Sequence, residues 1–168
     1  MIQAMLRFPE HTEVQKNGCG ALRNLAFDVD NAATIMQLGG AQVVLDAMRR
    51  HSRVPSVQQN GCGCVQNLAS TSQHRAVLLS HGAVDTILAA MRRFPSEPLV
   101  QENSCGALAN LASSRAPLER MLDEGAVEEV VSAIHYHAEE PNVMQNACGC
   151  LGMNSPFLVS FPCFLPAC

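Results

Sequence analysis

Along residues 14–26 the apolar side chains recur at helical spacing. Val14, Gly18, Leu22 and Leu25, with Ala21 beside them, fall within about 80° of one another when the chain turns 100° per residue. Lys16, Asn17, Gly20, Arg23 and Asn24 fall on the opposite arc. One apolar stripe facing one polar arc predicts an amphipathic helix with a single buried face. The pattern returns from Val57 as VQQNGCGCVQNLA, from Val100 as VQENSCGALANLA and from Val143 as VMQNACGCLG, a step of 43 residues each time without a gap. Gly39, Gly82 and Gly125 keep the same step, as do Met5, Met48, Met91 and Ile134. Within one unit, residues 73–80 (QHRAVLLS) predict a short helix and His81-Gly82 its left-handed stop. Residues 83–94 predict a second helix closed by Pro95, and a third runs from about residue 99 to 113. Each unit therefore holds three helices.

A helical period in the low forties belongs to solenoid arrays. The run Cys-Gly-Ala-Leu-x-Asn-Leu-Ala, preceded in each following unit by a turn of the Gly-Ala-Val kind, resembles the armadillo repeat over roughly residues 1–151. HEAT units usually have two helices and lack the Asn-Leu-Ala ending. The resemblance implies an all-α, right-handed α-solenoid whose third helices line a concave groove. The chain opens inside a second helix, and the fourth third-helix breaks after Leu151-Gly152, where Met153-Asn154-Ser155 replaces Asn-Leu-Ala. The expectation is an array truncated at both ends: residues 1–152 form about four units, the first and last incomplete.

Residues 153–168 (MNSPFLVSFPCFLPAC) form an uncharged, apolar tail outside the period. Pro156, Pro162 and Pro166 interrupt it too often for a membrane span, which needs about 20 apolar residues. It is read as a mis-predicted or alternatively spliced end, with disorder as the expected behaviour, or else as a cap folded over the last repeat.

Composition narrows the function. Of the 168 residues, 48% are hydrophobic but only 4% aromatic, with no Trp, so the core must be built from Ala, Leu, Val, Met and Cys. The net charge of −4 and the lack of a Lys/Arg cluster exclude a nucleic-acid surface. Met1 leads into an amphipathic stretch rather than a signal peptide, so the eight cysteines are expected as reduced thiols in a cytoplasmic or nuclear protein.

Stacking the units turns each third-helix position into a ladder. Asn24, Asn67 and Asn110 form one, and Asn17, Asn60, Asn103 and Asn146 another, with Gly20, Gly63, Gly106 and Gly149 between them. A carboxamide offers donor and acceptor together and can pair with a passing peptide unit whatever its side chain. Peptide-binding armadillo proteins use the Asn of the Asn-Leu-Ala position in this way, and the resemblance carries that role to Asn24, Asn67 and Asn110. Asn17, Asn60, Asn103, Arg23 and Gln66 complete the candidate peptide-binding set. The alternative is that the ladder amides bond neighbouring repeats and satisfy buried polar groups. Import-adaptor armadillo proteins carry Trp four residues before the Asn, where this chain has Gly20, Gly63 and Gly106. The aromatic slots that would grip Lys are missing, which argues against a nuclear-localisation-signal receptor. Groove charge is mixed: Lys16 and Arg23 make the first copy basic, Gln59 and Gln66 the second neutral, and Glu102 the third acidic.

Other motifs dissolve on inspection. Cys62-x-Cys64 and Cys148-x-Cys150 point about 200° apart on a helix and lack zinc-site spacing, so no metal or other cofactor is expected. Cys19, Cys62, Cys105 and Cys148 follow the period as small packing residues. His135-Tyr136-His137 aligns with Arg49-Arg50-His51 and is expected at the solvent end of a second helix. Asp123-Glu124 and Glu139-Glu140 read as solvated charge rather than an acid/base pair, and no catalytic motif is found. The expectation is a non-enzymatic scaffold binding protein or peptide segments, with no small-molecule substrate. The alternatives are a regulatory region of a larger kinase or ubiquitin ligase, and a purely structural spacer.

Overall fold

Three glycines set the rhythm of the fold. Gly39, Gly82 and Gly125 have φ of 77°, 73° and 82°, backbone that only glycine adopts freely, and each opens the second helix of a unit. The computed structural model describes residues 1–113, 119 and 121–152; the tail, with the expectations placed on it, lies outside the described residues. The helices are α1 (Ile2–Arg7), α2 (Thr12–Leu25), α3 (Val29–Gln37), α4 (Gly40–Arg50) and α5 (Pro55–Leu68). They continue as α6 (Ser72–Ser80), α7 (Ala83–Arg93), α8 (Pro98–Leu111), α9 (Ala126–Tyr136) and α10 (Pro141–Gly152). No strand occurs among the described residues. Units α3–α4–α5 and α6–α7–α8 are complete triplets, and the third helices α2, α5, α8 and α10 pack side by side as successive rungs of an α-solenoid.

Local chemistry explains the boundaries. Asp28 and Thr71 cap α3 and α6 by accepting from Asn31 N–H at 2.9 Å and His74 N–H at 3.1 Å. Pro55 and Pro98 start α5 and α8 where a missing N–H costs nothing.

The repeated Val-Gln dipeptide supplies a further device. Gln15, Gln58 and Gln101 are each 2% exposed, and each amide ties down two carbonyls at the end of the preceding second helix. Gln15 Nε2 donates to Met5 O and Phe8 O, both at 2.9 Å. Gln58 Nε2 donates to Met48 O at 2.8 Å and His51 O at 3.0 Å, and Gln101 Nε2 to Met91 O at 3.0 Å and Phe94 O at 2.9 Å. The last carbonyls of a helix have no partner within it, so these amides both close the helix and fix its angle to the third helix. The fourth copy has Met144 in this place.

The core runs the length of the stack. Val57, Leu68, Val100, Leu108 and Leu111 are buried, as are Cys19, Cys62 and Cys105 between consecutive third helices. Gly18 and Gly61 leave room for the methionine of the second helix: a Cβ on either would stand 2.5 Å from Met5 or Met48 Sδ. The first copy departs from its predicted stripe, for Leu25 is 44% exposed and Val14 only half-buried. The cause is position, since no third helix precedes α2 among the described residues. His137 also departs from expectation. His135 and Tyr136 are exposed, but the His137 ring is buried, with Nε2 2.8 Å from Pro95 O. His51 repeats the arrangement on Pro9 O at 2.7 Å, so this position pins the turn after the second helix onto the preceding unit.

Candidate functional site

The polar arc of each third helix lies against the next, and the Asn ladders show how. Asn60 Nδ2 donates to Lys16 O at 3.0 Å, Asn103 to Gln59 O at 3.2 Å and Asn146 to Glu102 O at 3.0 Å. In the other ladder Asn67 donates to Arg23 O at 2.9 Å and Asn110 to Gln66 O at 2.8 Å. Each amide thus reaches the carbonyl one residue ahead of its own counterpart in the preceding unit. A helical carbonyl keeps a second lone pair after its intrahelical bond, so these contacts staple rung to rung without breaking either helix.

The staple uses one of the two N–H groups of Asn67. Its second N–H and its carbonyl oxygen take no partner among the described residues, and the side chain is half-buried. Asn103 differs: it is 2% exposed and donates also to Leu99 O at 2.9 Å. Asn17 and Asn24, on the first rung, are exposed.

Gly63 and Gly106 leave the space that Arg23 and Gln66 occupy. A Cβ on Gly63 would stand 2.6 Å from Arg23 Nε, and one on Gly106 would collide with Gln66 Nε2. The residue in the next such position is Ala109, too short to reach forward, and nothing lies within 4 Å of a Cβ placed on Gly149. At Gly63 and Gly106, where import adaptors place Trp, a polar side chain of the previous unit therefore overlies the glycine, and Gly20 faces Asn60 of the next unit.

Two cavities open on this surface. One of about 460 Å³ is lined by Arg23, Asn24, Phe27, Gln66, Asn67, Glu102 and Asn103. The second, about 220 Å³, is lined by Ala26, Phe27, Val29, Gln66, Asn67, Ser70 and Asn110. They share Phe27, Gln66 and Asn67, so six of the eight candidate residues gather at one place. Asn17 lines a separate cavity of about 420 Å³ against Met5 and Gly18, and Asn60 lines neither of the two. The sequence reading missed Phe27, which is 86% exposed. The available signal was a break in the period: the same position holds Ser70 and Ser113 in the next copies.

The cysteines are packing groups. Burial pushes the thiols of Cys19 and Cys62 up to about 12, with the neighbouring Cys62 adding to the effect on Cys19. Cys64 and Cys105 are raised further, and Cys150 to about 11, in each case chiefly by burial. Such thiols stay protonated and unreactive. Among the described residues no group of His, Cys, Asp or Glu is arranged to hold a metal ion, and no helix is long and apolar enough to cross a membrane.

A protein-family model described as LRRK2 ARM repeat matches residues 1–155. No curated protein matches the chain.

Proposed function

The chain belongs to the armadillo-repeat family, and we infer that it is a non-enzymatic scaffold holding an extended segment of another protein along its third helices. The observation that carries this reading is Asn67. It stands where the two cavities meet, fixed through one N–H to Arg23 O, with its other N–H and its oxygen left for a ligand. A side chain already held in one rotamer loses little freedom when it binds, so the staple favours recognition as well as stability. An amide offering one donor and one acceptor matches one peptide unit of an extended chain. Rungs about 8 to 10 Å apart would meet every second or third residue of a chain advancing about 3.3 to 3.6 Å per residue. The free buried cysteines fit a reducing compartment such as the cytoplasm.

The test is a fluorescence titration of acidic, basic and neutral peptide pools against the wild type and the Asn67→Ala, Asn110→Ala double variant. Losing two peptide contacts should weaken the best pool about tenfold or more. Equal weak binding to every pool, unchanged in the variant, would leave the ladder as a structural staple and the array as a spacer.

A second reading rests on the family description, which carries the name LRRK2 and with it a kinase context. The array would then be a regulatory region whose groove takes a segment of its own longer protein. A gene model with a catalytic signature beyond the array separates the two.

A further inference from the structure

The two cavities have walls of different character, and the difference specifies a ligand. In the larger, Arg23 stands on the first rung and Glu102 on the third, both half-buried. The ion pairs among the described residues join Lys16 to Glu13, Arg49 to Asp46, Arg50 to Glu10 and Arg92 to Glu129. Neither the Arg23 guanidinium nor the Glu102 carboxylate takes part, in these or in any side-chain hydrogen bond among the described residues. Two opposite charges held apart along one groove, each without a protein partner, form a dipolar site. The smaller cavity is half apolar. Ala26, Phe27 and Val29 line it together with Gln66, Asn67, Ser70 and Asn110, and Phe27 and Val29 are 86% and 63% exposed. An exposed aromatic beside Asn67 and Asn110, each stapled through one N–H to the preceding rung, provides a slot for one apolar side chain.

We propose that the groove selects an extended peptide with an acidic side chain for Arg23, an apolar one beside it for Phe27 and Val29, and a basic one for Glu102. This rests on the peptide-binding reading above and deepens it. The Arg23 side chain reaches over Gly63 of the second rung, so its charge stands one rung from Glu102 and about one helical turn along it. At about 8 to 10 Å per rung, about 5.4 Å per turn and about 3.3 to 3.6 Å per residue, the acid and base of the ligand stand about three residues from each other. A uniformly acidic segment would bring like charge to Glu102, and a uniformly basic one to Arg23. The site therefore discriminates by the order of charges rather than by their sum.

The experiment is fluorescence anisotropy with labelled, end-blocked tetrapeptides on the full chain. The first has Asp at one end, Leu next to it, Lys at the other end and Ser or Thr between. The others have acid at both ends, base at both ends, or Asp and Lys adjacent. The dipolar peptide should bind about threefold to tenfold tighter than each control at low salt, and lose that margin in high salt as the charges are screened. Arg23→Glu should move the preference to the doubly basic peptide and Glu102→Lys to the doubly acidic one. Phe27→Ser, the residue of the next copy, should abolish discrimination between Leu and Ser while leaving the charge order intact. Circular dichroism checks that each variant keeps its helices. If all four peptides bind alike to the wild type and more weakly to the Asn67→Ala, Asn110→Ala variant, or a uniformly charged one binds best, the charge pattern is wrong and the groove reading survives. If none binds at all, the groove reading itself fails.

Discussion

Replacing Gln58 by Ala removes two hydrogen bonds and strips Met48 O of its donor, while His51 O keeps Val54 N–H at 3.0 Å. Gln58 is 2% exposed, and its amide donates to Met48 O at 2.8 Å and His51 O at 3.0 Å, at the end of α4. A neutral hydrogen bond contributes about 0.5 to 1.5 kcal/mol net, and a buried acceptor left without a partner adds to the loss, for a total of about 2 to 4 kcal/mol. The volume left by four heavy atoms lies between α4 and α5 and adds to the cost where neighbours cannot close over it. The measurement is urea unfolding followed by circular dichroism. Native-state hydrogen exchange should accompany it, because a solenoid's repeats need not unfold together. Protection should fall first in α4 and α5 and least in α9 and α10. The reverse change is available in the fourth copy, where Met144→Gln should cap α9 and stabilise the array by about 1 kcal/mol. A loss below about 0.5 kcal/mol in Gln58→Ala, the range of an ordinary surface change, would refute the reasoning and leave the periodic Val-Gln without a structural cause.

Three further outcomes are expected. Gly61→Ala should cost about 1 to 3 kcal/mol, because a Cβ there stands 2.5 Å from Met48 Sδ, whereas Gly149→Ala, with nothing within 4 Å, should raise the melting temperature through helix propensity. For the thiols, the folded values of about 11 to 12 at Cys19, Cys62 and Cys150 lie above the ordinary value of about 8.5. The stability from burying them is full below about pH 8.5 and is lost as pH rises through the folded values, so the melting temperature should fall steadily in alkali. Alkylation at pH 8 followed by peptide mapping should label the exposed Cys148 long before Cys19, Cys62, Cys64, Cys105 or Cys150; equal labelling would mean that the rungs open readily.

The sequence period carried most of the architecture, because in a solenoid each unit packs only on its neighbours and a repeated residue meets a repeated environment. Gly82 as a left-handed stop and the three helices per unit followed from spacing alone, within two residues at the helix ends. What escaped were contacts between units. The angle around a helix places Leu25 with Leu68 and Leu111, but it says nothing about whether another helix covers it, and Leu25 is exposed while the other two are buried. His137 was misplaced for a related reason: its neighbour in space is Pro95 O of the preceding turn, 42 positions back along the chain. The glutamine caps recur in three of the four copies, Gln15, Gln58 and Gln101, without a purpose visible in the letters. At the site, the repeat drew attention to the asparagines and away from Phe27, because a residue that breaks the period looks like noise until the fold sets it beside Asn67.

The central claim is that the open sides of Asn24, Asn67 and Asn110 receive a peptide backbone. Isotope-labelled Asn and Gln side-chain amides, followed by two-dimensional NMR as the dipolar tetrapeptide is added, test it residue by residue. The account predicts that the signals of Asn67 and Asn110, with Asn24 and Gln66, shift in step with binding, while those of the capping Gln15, Gln58 and Gln101 stay in place. Shifts confined to the other faces of the array, or binding that leaves the Asn67 amide unmoved, would contradict it.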